Sequence, residues 1–204
     1  MDSEAYLNRI SASNRRRKVG GNSFLNSIWF KVIIGVVLGV SIFMIFSSIL
    51  GSGESVKDKL TALKLHTTNL SKTISTYQPR VKSSSLRSNT ASLNGVLTNA
   101  TNGITNYMTE KYKTKDDKNI SKTLKKKEED LTKKLEDELF NARINGLLDR
   151  TFASKMAYEI TVISTRSKEI LKLTKNDDLK NILNTSLNSL DNLYNSFNNY
   201  SEAR

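Results

Sequence analysis

Residues 56–77 read VKDKLTALKLHTTNLSKTISTY, and within them apolar side chains recur at Val56, Leu60, Leu63, Leu70, Ile74 and Tyr77. The steps alternate between four and three, with Thr67 filling the one lapse. This spacing keeps to one side of an α-helix and makes a seam for packing against other helices. The chain's only proline, Pro79, comes next and either stops the helix or restarts it in a first turn.

Toward the C-terminus the same periodicity returns. Leu86, Leu93, Leu97, Ala100, Ile104 and Tyr107 are separated by seven, four, three, four and three residues. Asn94-Gly95 and Asn102-Gly103 in this stretch are hairpin-turn signals, so residues 94–108 are open to helix or hairpin, with the longer helical regularity weighing for helix. Between Glu110 and Glu138 lie ten Lys and nine Asp or Glu in 29 residues. That stretch reads as a solvated helix face laced with charge pairs such as Glu129 with Lys133 and Glu128 with Lys125. Lys125, Lys126 and Lys127 are followed at once by Glu128, Glu129 and Asp130, so the local field cancels and nucleic acid is not an expected partner.

Phe140, Ile144, Leu148, Phe152, Met156, Ile160, Ile163 and Ile170 continue an apolar face, interrupted only by Asn145-Gly146. Periodicity does not decide whether residues 119–174 form one helix or two. Asn176-Asp177 offers an N-cap, and Leu179, Leu183, Leu187, Leu190, Tyr194 and Phe197 form the last seam. The expected segments are 54–77, 81–113, 119–145, 148–174 and 177–200. Their similar lengths and short connections suit a long-helix antiparallel bundle or a coiled-coil-like domain, so the fold class is all-α.

Toward the N-terminus, residues 28–50 read IWFKVIIGVVLGVSIFMIFSSIL. At ~1.5 Å per residue such a run spans roughly 34 Å, enough for a bilayer core, so a transmembrane helix bounded by Ile28 and Leu50 is expected. Trp29 suits the interfacial aromatic belt, and Lys31 can extend its ammonium to the headgroups. The apolar run is longer than a cleaved signal core, which favours an uncleaved signal anchor. Arg15, Arg16, Arg17 and Lys18 serve as the topology signal. The organisation read this way is a short, basic, disordered cytoplasmic tail at 1–27, a membrane helix at 28–50 and an extracytoplasmic helical domain at 51–204. Gly35 and Gly39, four apart, offer a contact for dimerisation of that helix.

Composition narrows the chemistry. The 204 residues contain 32 Lys and Arg against 20 Asp and Glu, a formal charge of +12, with no Cys and one His. Disulfide frameworks, thiol catalysis and sites built on two imidazoles are thereby excluded. His66 is the one candidate imidazole base, and its place on the first seam helix reads as an exposed or half-buried helix residue. No Gly-rich phosphate loop and no HExxH motif occurs, so no catalytic residue, cofactor or metal is expected. The expected function is that of a single-pass, cell-membrane-anchored, non-catalytic scaffold or partner-binding protein. The alternative is a sensory or ligand-binding ectodomain that signals through a partner. Expected partners are membrane lipid and either another protein or a second copy, engaged through the helical seams.

Overall fold

Helix α1 (Val56–Tyr77) begins with a reciprocal cap: the Ser55 hydroxyl accepts the Asp58 N–H, and the Asp58 carboxylate accepts the Ser55 N–H. The structure, a computed structural model, describes residues 55–113 and 120–200. Pro79 sits in a one-turn 3-10 helix, Gln78–Arg80, where its missing N–H breaks no helical hydrogen bond. Helix α2 (Ser84–Tyr112) then runs for 29 residues through both Asn-Gly pairs, so residues 94–108 are helical. Its seam from Leu86 to Tyr107 is buried, and that burial outweighs the local turn preference.

Two helices occupy 119–174. Helix α3 (Lys122–Ile144) ends where Gly146 takes the left-handed conformation, φ +71°. The Leu147 N–H donates to the Ala142 carbonyl and the Gly146 N–H to the Arg143 carbonyl, which is a Schellman termination. The chain reverses there into α4 (Leu148–Leu173), and α5 (Asp177–Asn198) follows, with the Asn176 side chain accepting the Leu179 N–H at its start. Among the described residues the regular structure is all helical, with five α-helices packed on one another.

Successive helices alternate in direction. Ser71 bonds to Asn94 and Thr67 to Thr101, so α1 and α2 are antiparallel. Helices α1, α2, α5 and α4 contact one another in that order around a ring, as α4 also packs on α1. Helix α3 lies against α1 and α4, parallel to α1: His66 meets Glu128, and seven to eight residues on Thr73 meets Glu136. Phe152, Phe197, Leu60, Leu93, Ile104 and Met156 are among the fully buried side chains of the core. At the α2–α5 contact, Gly103 lets the backbones close up, since a Cβ there would stand 2.9 Å from Ile182 Cγ2.

Three expectations change. The apolar face drawn through Phe140 and Ile144 does not continue into the core. Both are exposed, at 51% and 67%, because the reversal at Gly146 separates α3 from α4 and α3 buries Leu135, Leu139 and Ala142 instead. Tyr194, counted in the last seam, is also exposed. The third correction concerns single-pass placement in the cell membrane with an inner N-terminus and an outer C-terminal domain. Among the described residues no helix is long and apolar enough to cross a membrane. The run bounded by Ile28 and Leu50, on which that expectation rested, lies outside the described residues.

Candidate functional site

Four charged side chains meet inside the junction of α1, α3 and α4. His66 Nδ1 lies 2.9 Å from Glu128 Oε2, and His66 Nε2 lies 2.9 Å from Glu159 Oε2. Arg166 Nη1 donates to Glu128 Oε1 at 2.8 Å and to the Ala62 carbonyl at 3.4 Å. His66 is 8% exposed, Glu128 2%, Glu159 9% and Arg166 4%.

The helical repeat brings them there. His66 and Thr73, seven residues apart, lie with Leu70 and Tyr77 from one edge of the seam along the side of α1 that meets α3, and all four are buried. On α3, Glu128 falls one heptad before Leu135, in register with Leu139 and Ala142, and so occupies a core position. Glu159 and Arg166 are seven residues apart on α4, two turns along one face.

Protonation follows from this geometry. An ionised carboxylate only accepts hydrogen bonds, whereas a neutral imidazole carries one N–H. With an ionised carboxylate at hydrogen-bond distance from each ring nitrogen, both contacts are satisfied by the imidazolium and not by the neutral ring. Burial and the Arg166 charge oppose that cation. The hydrogen bonds to Glu128 and Glu159 overcome them, and the His66 pKa is raised above its ordinary 6.5. For Glu128, burial alone favours the neutral acid, but the bonds and charges of His66 and Arg166 prevail and its pKa is lowered from 4.5. Two cations then face two anions, and the buried cluster is neutral.

The cluster is not perfectly closed. Arg166 Nε and Nη2 and Ser164 Oγ are buried without a hydrogen-bond partner. A cavity of about 10 Å³ borders His66, Glu159, Thr73, Leu131 and Leu135. That is near the least space one water requires and is far below the size of a ligand pocket. Among the described residues, no group of three or more His, Cys, Asp or Glu is placed to hold a metal ion. His66 itself directs its two nitrogens at different carboxylates, so the trio does not converge on one point.

Of the residues singled out in the sequence, Arg15, Arg16, Arg17, Lys18, Ile28, Trp29, Lys31, Gly35, Gly39 and Leu50 lie outside the described residues. His66 is buried and paired, where an exposed or half-buried residue was expected. Glu128 does not pair with Lys125 on the surface. Lys125 reaches Glu129 instead, at 4.0 Å, while Glu128 turns inward. Glu159 and Arg166, which nothing in the sequence analysis singled out, complete the cluster. Their seven-residue spacing and the phase of Glu128 with Leu135 were the available signals.

Two features mark the surface at one end of the helices. Phe140 and Ile144, one turn apart on α3, and Leu147 in the following turn are large apolar side chains exposed to solvent, with Leu147 at 51%. At the same end of the chain's helices, a polar groove of about 810 Å³ is lined by Arg80, Lys82, Arg143, Asp149, Ser196 and Tyr200, among others. The Asp149 carboxylate there accepts the N–H groups of Lys82 and Ser83, fixing the entry to α2.

Fold and site together define an all-α bundle in which a fifth helix is fastened to a four-helix ring through a buried, charge-neutral ion cluster. No family model matches the chain, and no curated protein or solved structure is significantly similar to it.

Proposed function

We propose that this chain is a non-catalytic helical module that works by binding a protein partner. The observation that carries the reading is the exposed apolar strip of Phe140, Ile144 and Leu147 at the α3–α4 corner. Adjacent large apolar side chains left in water on an otherwise charged helix are a feature of interaction surfaces. The state of His66 supports the same reading. A general base must reach the proton it takes, and this ring is buried with each nitrogen already engaged by a carboxylate.

The test is cross-linking with mass spectrometry in intact cells at native expression, comparing the wild type with the double variant Phe140→Ser, Ile144→Ser. The expected result is cross-links clustered at the end of α3 and the turn after it, lost in the double variant. Cross-links that fall elsewhere, or that survive the substitution, overturn the proposal. The identity of the cross-linked chain separates self-association from a different partner.

A second reading, a ligand-binding module, is favoured by the groove beside Arg80, Lys82 and Arg143, whose volume lies in the range of small-molecule sites. Its three cations against the single carboxylate of Asp149 suit an anionic, hydroxyl-bearing ligand. Citrate and inorganic phosphate, titrated while thermal unfolding is followed, are suitable first probes. A saturable rise in midpoint that is lost in Arg80→Gln, Arg143→Gln would support this reading.

A further inference from the structure

Helix α3 is held differently from the four helices of the ring. It buries Glu128, Leu135, Leu139 and Ala142, one of them charged, whereas the five side chains that α5 buries are all apolar and α4 buries thirteen, most of them apolar. Polar contacts do much of the fastening. Glu128 bonds to His66 and Arg166, the Thr73 hydroxyl donates to the Glu136 carboxylate, and the Tyr77 hydroxyl donates to the Glu136 carbonyl. Lys155 of α4 pairs with Glu138. Leu135 and Leu139 are the only α3 members of the apolar core cluster, whose other side chains, Leu60, Leu93, Ile104, Phe152, Leu183 and Phe197 among them, come from the ring and its connections.

We infer that α3 is a releasable strap on the four-helix ring, docked while His66 is an imidazolium and loosened when that ring loses its proton. This goes beyond partner binding and does not depend on what the module binds. The imidazolium joins the strap to the ring, with one N–H on Glu128 of α3 and the other on Glu159 of α4. After proton loss one of those contacts places a nitrogen lone pair against a carboxylate oxygen. The buried cluster then holds two anions against the single cation Arg166 and carries net negative charge. Moving α3 outward returns Glu128 to water, whereas Glu159 and Arg166 stay on α4.

The charged and titratable groups around His66 leave this proton in control. Helix α3 contributes Glu128, with Glu136 further along at Thr73; α4 contributes Glu159 and Arg166, with Tyr158 next to Glu159. On α1, Lys59 is paired with Glu169. Helix α2 presents to this part of α1 the hydroxyl of Thr101, bonded to Thr67, and α5 packs on α2 and α4. Glu128, which α3 supplies, helps raise the His66 pKa above the ordinary 6.5, so the strap is held most firmly at and below that value. The hold weakens as pH rises from there through the raised, docked value.

Hydrogen–deuterium exchange of the full chain from about pH 6 to about pH 9, corrected for the intrinsic dependence of exchange on base, reads this directly. The expected result is that protection in Lys122–Ile144 falls by up to about tenfold per pH unit above the ordinary imidazole value, while α2 and α5 keep theirs. The chain has one His, so its imidazole resonance is unambiguous, and its titration should coincide with the loss of α3 protection. In His66→Gln the pH dependence of α3 should vanish. Parallel loss in all helices, a slope that survives His66→Gln, or a His66 titration that leaves α3 protection unchanged would each overturn the inference. The wild-type coincidence decides it even if the variant does not fold.

Discussion

Glu128 occupies a position on α3 that the helical repeat reserves for an apolar side chain, and it is held there as an anion by His66 and Arg166. Removing one member of a buried ion cluster strands the others in a low-dielectric interior, which costs about 3–5 kcal/mol. Glu128→Ala should therefore destabilise the chain by about that amount in urea denaturation, comparable to the ~2–5 kcal/mol of a buried Leu→Ala such as Leu139→Ala. Replacing the whole cluster is different, because no charge is then left uncompensated. The combined variant His66→Leu, Glu128→Met, Glu159→Leu, Arg166→Met should be neutral or more stable by about 1–4 kcal/mol by the same measurement. A loss comparable to Glu128→Ala in the combined variant would show that the cluster adds net stability rather than specifying how α3 docks.

Two glycines of one helix separate local preference from packing. Gly95 and Gly103 both lie inside α2, where Ala is favoured over Gly by about 0.8–1.0 kcal/mol. A Cβ at Gly95 meets nothing within 4 Å, so Gly95→Ala should raise stability by nearly that whole amount. At Gly103 the new methyl would stand 2.9 Å from Ile182 Cγ2, a branch close to the α5 backbone that has little freedom to move. Gly103→Ala should be net destabilising, because overpacking of about 1–3 kcal/mol exceeds the propensity gain, and Ile182→Ala should relieve part of it. Chemical denaturation of the three variants checks the order. Gly146→Ala belongs to a third class: space is open around it, yet φ +71° makes any side chain strained, and the α3–α4 reversal should weaken.

For the chain as a whole, two of the shifted groups, His66 and Glu128, define a window of best stability. The His66 contribution is complete below 6.5 and disappears as pH rises through its raised folded value. That of Glu128 is present above 4.5 and disappears as pH falls through its lowered folded value. The thermal midpoint should accordingly be highest in mildly acidic solution between these limits and decline on both sides. His66→Gln should flatten the alkaline limb while keeping the acid one. Calorimetry across pH checks this, and a midpoint that continues to rise above neutral pH in the wild type would contradict it.

The helices themselves were legible in the chain. Leu86, Leu93, Leu97, Ala100, Ile104 and Tyr107 announced α2 because a 3.6-residue repeat is a property of one helix and needs no knowledge of its neighbours, and the same holds for Leu179 through Leu190 in α5. Asn176 and Gly146 likewise marked ends through their own backbone and side-chain preferences, although Gly146 became a definite stop only once the Leu147 and Ala142 backbones were in place. Sequence did not reveal which side of α1 faces the ring and which meets α3, that α3 lies parallel to α1, or that Phe140 stays in water. Nor did it bring His66, Glu128, Glu159 and Arg166 together across up to a hundred residues of chain. Those outcomes depend on how each helix is rotated and on which neighbours it packs against. Only the packed arrangement makes a histidine and three ordinary charged residues into a buried cluster whose protonation state matters.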